Sequence, residues 1–237
     1  MAKRDLYTAS RKTTQQSIVD NEPTSEQRLK WFENWYHSKS KLINNILIGV
    51  LAVVAGFFAY NKFFKEPKID KSNDAIFRAQ TYFGMDSLNW ALNGDGANPG
   101  FLTIISKYSG TPAANLAEYY AGISYLKLGD FAKAESHLKK FDGKGTMVSL
   151  VAKGALGDAY MELNKPDDAI KAYQEASSDL NNVLLSPIYI ERKAIAYEMK
   201  NNKDEAIKAY KLIIDEYPSS PQAASSHKSL ARLGVFN

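Results

Sequence analysis

The chain contains no cysteine, and this excludes disulfides, thiolate metal sites, a cysteine nucleophile and lipid attachment at cysteine. Histidine is nearly as scarce. His37, His137 and His227 fall in three different elements, none with a metal-ligand partner at helical spacing, and they read as surface residues. Glycine-rich phosphate and calcium loops are missing too. Gly143-Lys144 lacks the preceding glycine of a phosphate loop, and Asn93–Gly100 places Ala97 and Asn98 where a calcium loop needs a ligand and then a glycine. The acidic pairs Asp167-Asp168, Asp204-Glu205 and Asp215-Glu216 sit at expected helix ends, and the first two suit helix N-termini. No nucleophile, base and orienting group stand together, so neither catalysis nor a cofactor is expected. A strongly basic domain is also absent. Residues 72–237 carry 18 basic against 19 acidic side chains, a net of −1, and residues 1–71 carry 12 against 7, a net of +5. Positive charge placed around an apolar segment points to an anionic membrane surface and away from nucleic acid.

That apolar segment is the longest uncharged run in the sequence. Leu42–Tyr60 holds 19 residues with only Asn44 and Asn45 as polar interruptions. As a helix it would span about 28 Å, close to the ~30 Å core of a bilayer. Before it, residues 1–23 are polar and read as a disordered cytoplasmic tail. Thr24 and Gln27 have the form of a capping box, opening an amphipathic juxtamembrane helix over 24–41 that carries Leu29, Trp31, Phe32, Trp35 and Tyr36. A short solvated helix that happens to be aromatic is the alternative there. The spanning helix is expected over 42–64, with Ile46, Leu47, Phe57, Phe58 and Tyr60 facing lipid and Lys62 and Lys65 beyond. A cleaved signal peptide fits poorly, because some 41 residues precede the run and no small-x-small site follows. The alternative of a buried core helix conflicts with charges on both sides. Four basic residues flank each end, but the whole N-terminal stretch holds eight, which favours a cytoplasmic N-terminus. Pro67 is expected to close the anchor, and residues 65–73 to form a linker with a polar joint at Asp70–Asn73.

Further along, three stretches keep one beat. Gly122, Tyr125, Gly129, Ala134, Leu138 and Phe141 are spaced by three, four, five, four and three residues. Gly157, Tyr160, Asn164, Ala169, Tyr173 and Ala176 repeat those steps, and so do Ala194, Tyr197, Asn201, Ala206, Tyr210 and Ile213, with Pro218 five residues beyond. The register advances by 35 and then 37 residues, a period that marks stacked supersecondary units. The small residue before each tyrosine lets a helix approach closely. Gly129, Asn164 and Asn201 fall where a first helix must end in a left-handed residue. The alanine that follows fits a tight helix crossing. Each unit is thus helix, turn, helix, with an apolar face it cannot bury alone.

This pattern resembles the tetratricopeptide repeat, over about residues 112–218, although the early tryptophan of that family is missing. The resemblance implies an all-α solenoid of antiparallel helix pairs over 74–237. Its parts are a degenerate pair over 74–108 (a helix Asp74–Asn93, a loop, then Phe101–Tyr108), repeats at 113–141, 147–178 and 187–217, and a capping helix over 221–233. Ser220 would cap that helix, with Ala223, Ala224, Leu230 and Leu233 turned inward and Ser225, Ser226 and Lys228 turned to water.

The same resemblance places the first helix of each repeat on a concave face. Its inward positions are Leu116, Tyr119, Ile123 and Leu126, then Val151, Gly154, Asp158 and Met161, then Ile188, Glu191, Ile195 and Glu198. Such a groove, apolar at one end and acidic at the other, suits a protein segment with apolar and basic side chains; some of these residues, Leu116 and Val151 first among them, instead suit packing against the preceding pair. Tyr119 and Ile123 replace polar residues that capture a carboxylate in the family's best-known clamp, so that mode is not expected. In layout (tail, anchor, repeats) the chain resembles the YfgM-type ancillary subunits of the bacterial secretion translocon. That implies an inner-membrane protein with a cytoplasmic N-terminus and periplasmic repeats, whose partners are translocon subunits, a periplasmic chaperone or an emerging secreted chain, besides the lipid bilayer. No nucleic acid or small-molecule substrate is expected. A scaffold of another envelope complex and a cytosol-facing organelle import receptor are the other readings.

Overall fold

The computed structural model describes residues 24–236, and the expected tail at 1–23 lies outside them. The described chain is all-α and divides into two compact units, one up to Phe63 and one from Phe64 onward.

In the first unit, helix α1 spans Ser25–Tyr60. Its start is the capping box read from the sequence: the Thr24 hydroxyl accepts the Gln27 N–H and the Gln27 side chain accepts the Thr24 N–H. The aromatic juxtamembrane stretch and the apolar run are therefore one helix. It is long and apolar enough to cross a membrane, and none of its residues is buried within the chain. Trp31, Trp35, Ile46, Leu47, Phe57, Phe58 and Tyr60 are all exposed.

A wide π turn at Asn61–Lys65 follows, and then helix α2, Glu66–Gly84. This corrects the expected linker, because Asp70–Asn73 is helical and Ser72 is buried. Proline can stand in the first turn of a helix, where its missing N–H has no partner to lose, so Pro67 starts α2 and does not end the anchor. A second correction concerns the helix expected over Asp74–Asn93. It breaks after Gly84, where Asp86 takes a left-handed conformation (φ 57°), and resumes as the short α3, Leu88–Asn93. The Asp95 carboxylate organises the loop that follows: it accepts the backbone N–H groups of Ala97 and Asn98 and the Tyr82 hydroxyl. Helix α4, Phe101–Lys107, completes this irregular first pair.

Three regular pairs come next: α5 (Pro112–Lys127) with α6 (Phe131–Lys140), α7 (Met147–Glu162) with α8 (Pro166–Ala176), and α9 (Ser186–Met199) with α10 (Lys203–Glu216). Side-chain oxygens of Thr111, Asp130, Thr146 and Asn202 accept N–H groups at four of these starts. The beat has a backbone explanation. Gly129, Asn164 and Asn201 are left-handed (φ 79°, 55° and 57°), and the next N–H in each case returns to the carbonyl of Tyr125, Tyr160 or Tyr197. This is the six-to-one hydrogen bond of a Schellman turn, and it fixes the distance from tyrosine to turn. Ala134, Ala169 and Ala206 are each 0% exposed at the crossings. A Cβ on Gly122 would meet the Leu138 Cγ at 2.6 Å, and one on Gly157 the Tyr173 ring at 2.5 Å, so the small residue of the beat is dictated by a neighbouring second helix.

Helix α11, Pro221–Arg232, covers the last pair, with Ser220 as its N-cap. Its inward face is rotated from the one expected. Ala223, Ser226 and Leu230 are buried, while Ala224 is exposed and Ser225 only half-buried.

Candidate partner groove

The inward positions of α5, α7 and α9 divide into two kinds. Most of the α5 set is packed away. The Tyr119 ring lies 5.3 Å from Tyr120 and 5.4 Å from Phe141, and burial raises its hydroxyl pKa. Ile123 and Ile188 rest against the central core, and Leu116 against the first one. Gly154 is covered by the Tyr189 ring. Leu116, Tyr119, Ile123 and Gly154 fill the space between pairs, while Ile188 also floors a separate hollow near Val183 and Pro218.

An open hollow of about 450 Å³ remains farther along the same face. It is lined by Leu126, Phe131, Asp158, Met161, Glu162, Tyr173, Arg192 and Ile195. It thus joins four of the expected positions (Leu126, Asp158, Met161 and Ile195) to Tyr173, a residue of the beat, and to Phe131, Glu162 and Arg192, which the sequence pattern does not single out. Ile195 is 48% exposed and presents its free side there.

The expected acidic character is cancelled from within. Asp158 accepts the Tyr173 hydroxyl at 2.8 Å and forms an ion pair with Arg192. Glu191 accepts the Ser225 hydroxyl. Glu198 accepts the Tyr210 hydroxyl at 2.6 Å and Arg232 at 2.9 Å. Glu191 and Glu198 therefore help hold the capping helix in place, and the charge of Glu198 is met by Arg232. A sequence signal for this existed. Asp158 and Arg192, Glu191 and Ser225, and Glu198 and Arg232 are each 34 residues apart, slightly less than the 35- and 37-residue advances of the beat, so complementary groups recur close to the stacking distance. His137 is a further correction. It is half-buried between α5 and α6, stacked on Tyr125 at 5.4 Å with its Nδ1 2.6 Å from Glu118. Among the described residues no cluster of three or more His, Asp or Glu is placed to hold a metal.

The tyrosine–carboxylate pairs make stability sensitive to alkali. Burial, reinforced by the Glu198 hydrogen bond, pushes the Tyr210 hydroxyl from 10.0 up to about 12. Burial and the charge of Asp158 raise Tyr173 as well. Between pH 10 and 12 the unfolded chain gives up the Tyr210 proton and the folded one keeps it. The contribution is thus complete below pH 10 and lost as pH rises through the folded value. Thermal melts by circular dichroism should show the melting temperature falling over that window, and less steeply in Tyr210→Phe. Equal slopes in the two proteins would place the sensitivity elsewhere.

Two family models, each describing a tetratricopeptide repeat, match this chain: one over residues 116–142, the first regular pair, and one over 155–221, the second and third. The irregular pair at 74–108 lies outside both. No match was found among curated proteins. The helix pairs that build the hollow match tetratricopeptide-repeat models in sequence and have the antiparallel helix-pair packing expected of such repeats.

Proposed function

We propose that this protein is a membrane-anchored adaptor, with α1 crossing a bilayer and the repeat unit holding an apolar segment of a protein partner in the hollow on its first-helix face. The observation that carries the reading is the composition of that hollow. Leu126, Phe131, Met161 and Ile195 offer apolar surface, Asp158 and Arg192 between them pair with each other, and the remaining charge, Glu162, is exposed. A partner helix or strand can cover the apolar side chains without stranding Asp158 or Arg192, while Glu162 stays in water or meets a basic side chain of the partner.

The layout of tail, apolar helix and repeats supports a finer reading, as an ancillary subunit of the secretion translocon in the bacterial inner membrane. In it the N-terminus is cytoplasmic, and the periplasmic repeats hold a chaperone or an emerging secreted chain. A photoreactive residue at Phe57 in native membranes should then give adducts with translocon subunits, and one at Ile195 adducts with an envelope chaperone or a secreted chain. Absence of translocon adducts from Phe57 would remove the finer reading, and absence of any protein adduct from Ile195 would remove the adaptor reading.

Ile195→Asp gives a quantitative check. Covering the exposed half of Ile195 is worth about 1 kcal/mol, and an aspartate would add an unpaired charge at the contact. Adduct yield through a second groove position, Met161, should drop by at least about tenfold, equivalent to about 1.4 kcal/mol. The melting temperature should fall by only a few degrees, because the half of Ile195 already covered by the fold is worth about 1 kcal/mol. Unchanged yield would show that the hollow is not the contact.

A further inference from the structure

The repeat unit has two unlike edges. Successive helices are joined by short connections and pack antiparallel, so the tight turns at Gly129, Asn164 and Asn201 lie along one edge and the longer inter-pair loops along the other. The start of α2 belongs to the loop edge, because the Lys68 ammonium donates to the Ser109 carbonyl at 2.9 Å in the loop before α5. That loop's neighbour is fixed in turn by Asn115, which exchanges two hydrogen bonds with the Asp142 backbone. Farther along, the Tyr217 hydroxyl donates to the Leu180 carbonyl at 2.7 Å, bringing the loops before α9 and α11 together.

Exposed apolar side chains gather on this edge. Leu180, Val183 and Leu184 are 56%, 73% and 67% exposed in one loop, and Met147 and Val148 are exposed at the start of α7. Val183 and Leu184 also form the rim of a hollow of about 430 Å³ floored by Ile188, Tyr217 and Pro218. The tight-turn edge shows only single residues, such as Met85, Leu128 and Met199, of the scattered kind any surface carries.

We propose that the loop edge is a second membrane-contact surface, on which Met147, Val148, Leu180, Val183 and Leu184 enter the lipid headgroup region. The occupant follows from chain connectivity. Only Asn61–Phe63 separate the apolar run from Phe64, the first residue of the repeat unit. Three residues reach about 10 Å, so the edge carrying the start of α2 is tethered close to the surface where the run emerges. The charges agree. Lys65, Lys107, Lys140 and Lys144 lie along this edge, while the carboxylates of Asp142 and Asp179 are turned back onto the N–H groups of Lys144 and Asn181 in their own loops. Glu66, Asp70, Asp215 and Glu216 are the other acids near it, with Glu175 paired to Lys153. Apolar side chains with lysines beside them, on an edge within short chain reach of the bilayer, suit an interface of acyl chains and anionic headgroups.

The proposal rests on α1 being the anchor, and its test separates the two. The full chain lacks cysteine, so single cysteines at Phe57, Met147, Leu184 and Leu128 can carry an environment-sensitive fluorophore, with the protein in phosphatidylcholine/phosphatidylglycerol nanodiscs. Nitroxide deep in the acyl chains should quench the label at Phe57. Nitroxide near the lipid glycerol should quench labels at Met147 and Leu184, and leave Leu128 on the opposite edge at its starting intensity. Quenching at Phe57 with Met147 and Leu184 no more affected than Leu128 overturns the second contact and spares the anchor. A blue-shifted but unquenched label at Leu184 means that protein, a partner or a second copy, covers the edge, and this also overturns the lipid contact. No quenching at Phe57 removes the anchor and the proposal with it.

Discussion

Gly154→Ala should lower the melting temperature of the repeat unit, although helix propensity alone predicts the opposite. Replacing a mid-helix glycine by alanine normally stabilises by about 0.5–1 kcal/mol. Here the added Cβ would sit 2.0 Å from the Tyr189 Cε1 and 2.6 Å from its hydroxyl oxygen, where carbon contacts need about 3.5 Å or more. The Tyr189 ring is buried against the central core and cannot yield without taking its packing along. Overpacking of this kind costs about 1–3 kcal/mol, so the clash outweighs the propensity gain. The loss should disappear in a Tyr189→Ala background, where alanine at 154 fills vacated space. A double-mutant cycle would therefore show strong coupling between positions 154 and 189. A melting temperature that rises in the single variant would mean that α7 and α9 do not approach through this glycine.

Gly154 also illustrates what the sequence exposes and what it withholds. The beat of small residue, tyrosine, turn and alanine was legible because each step answers a local steric demand, and the left-handed Asn164 and Asn201 and the fully buried Ala169 and Ala206 follow from it. Position 154 lies off the beat. Its role depends on a ring 35 residues away, and the family resemblance assigns it to the groove. The break at Asp86 was missed for a related reason. The apolar spacing of Ala75, Phe77, Ala79, Tyr82, Phe83 and Leu88 continues through it, and only a left-handed aspartate interrupts the backbone. In the cap, Ala223-Ala224-Ser225-Ser226 offers four small residues of similar size, so composition does not set the rotation of α11. The groove was half legible. Its apolar members are ordinary inward positions, but the neutralising Arg192 and Arg232 show only when the chain is read against itself at close to one repeat period.

Phe101→Ala should have the largest effect on stability, and an uneven one. Phe101 is 0% exposed and stacks face to face on Tyr120, with ring centroids 5.3 Å apart and planes 8° apart, while Phe83 closes over both. It opens α4, a helix of seven residues that follows one of six, and segments so short hold no helix without tertiary contacts. Truncating a buried phenylalanine costs about 3–5 kcal/mol, against a total of about 5–15 kcal/mol for a typical domain. In a solenoid each pair contacts mainly its neighbours, so the damage should stay near the first pair. Hydrogen exchange in the variant should show residues 66–107 losing protection while α9–α11 keep theirs. Phe77→Ala, which removes a side chain already 65% exposed on α2, should change stability by no more than about 0.5 kcal/mol. Uniform loss of protection from Glu66 to Arg232 would mean that the irregular pair and the three regular repeats unfold as one cooperative block. The ring of Phe101 would then support the whole stack, including the distant hollow at Met161 and Ile195.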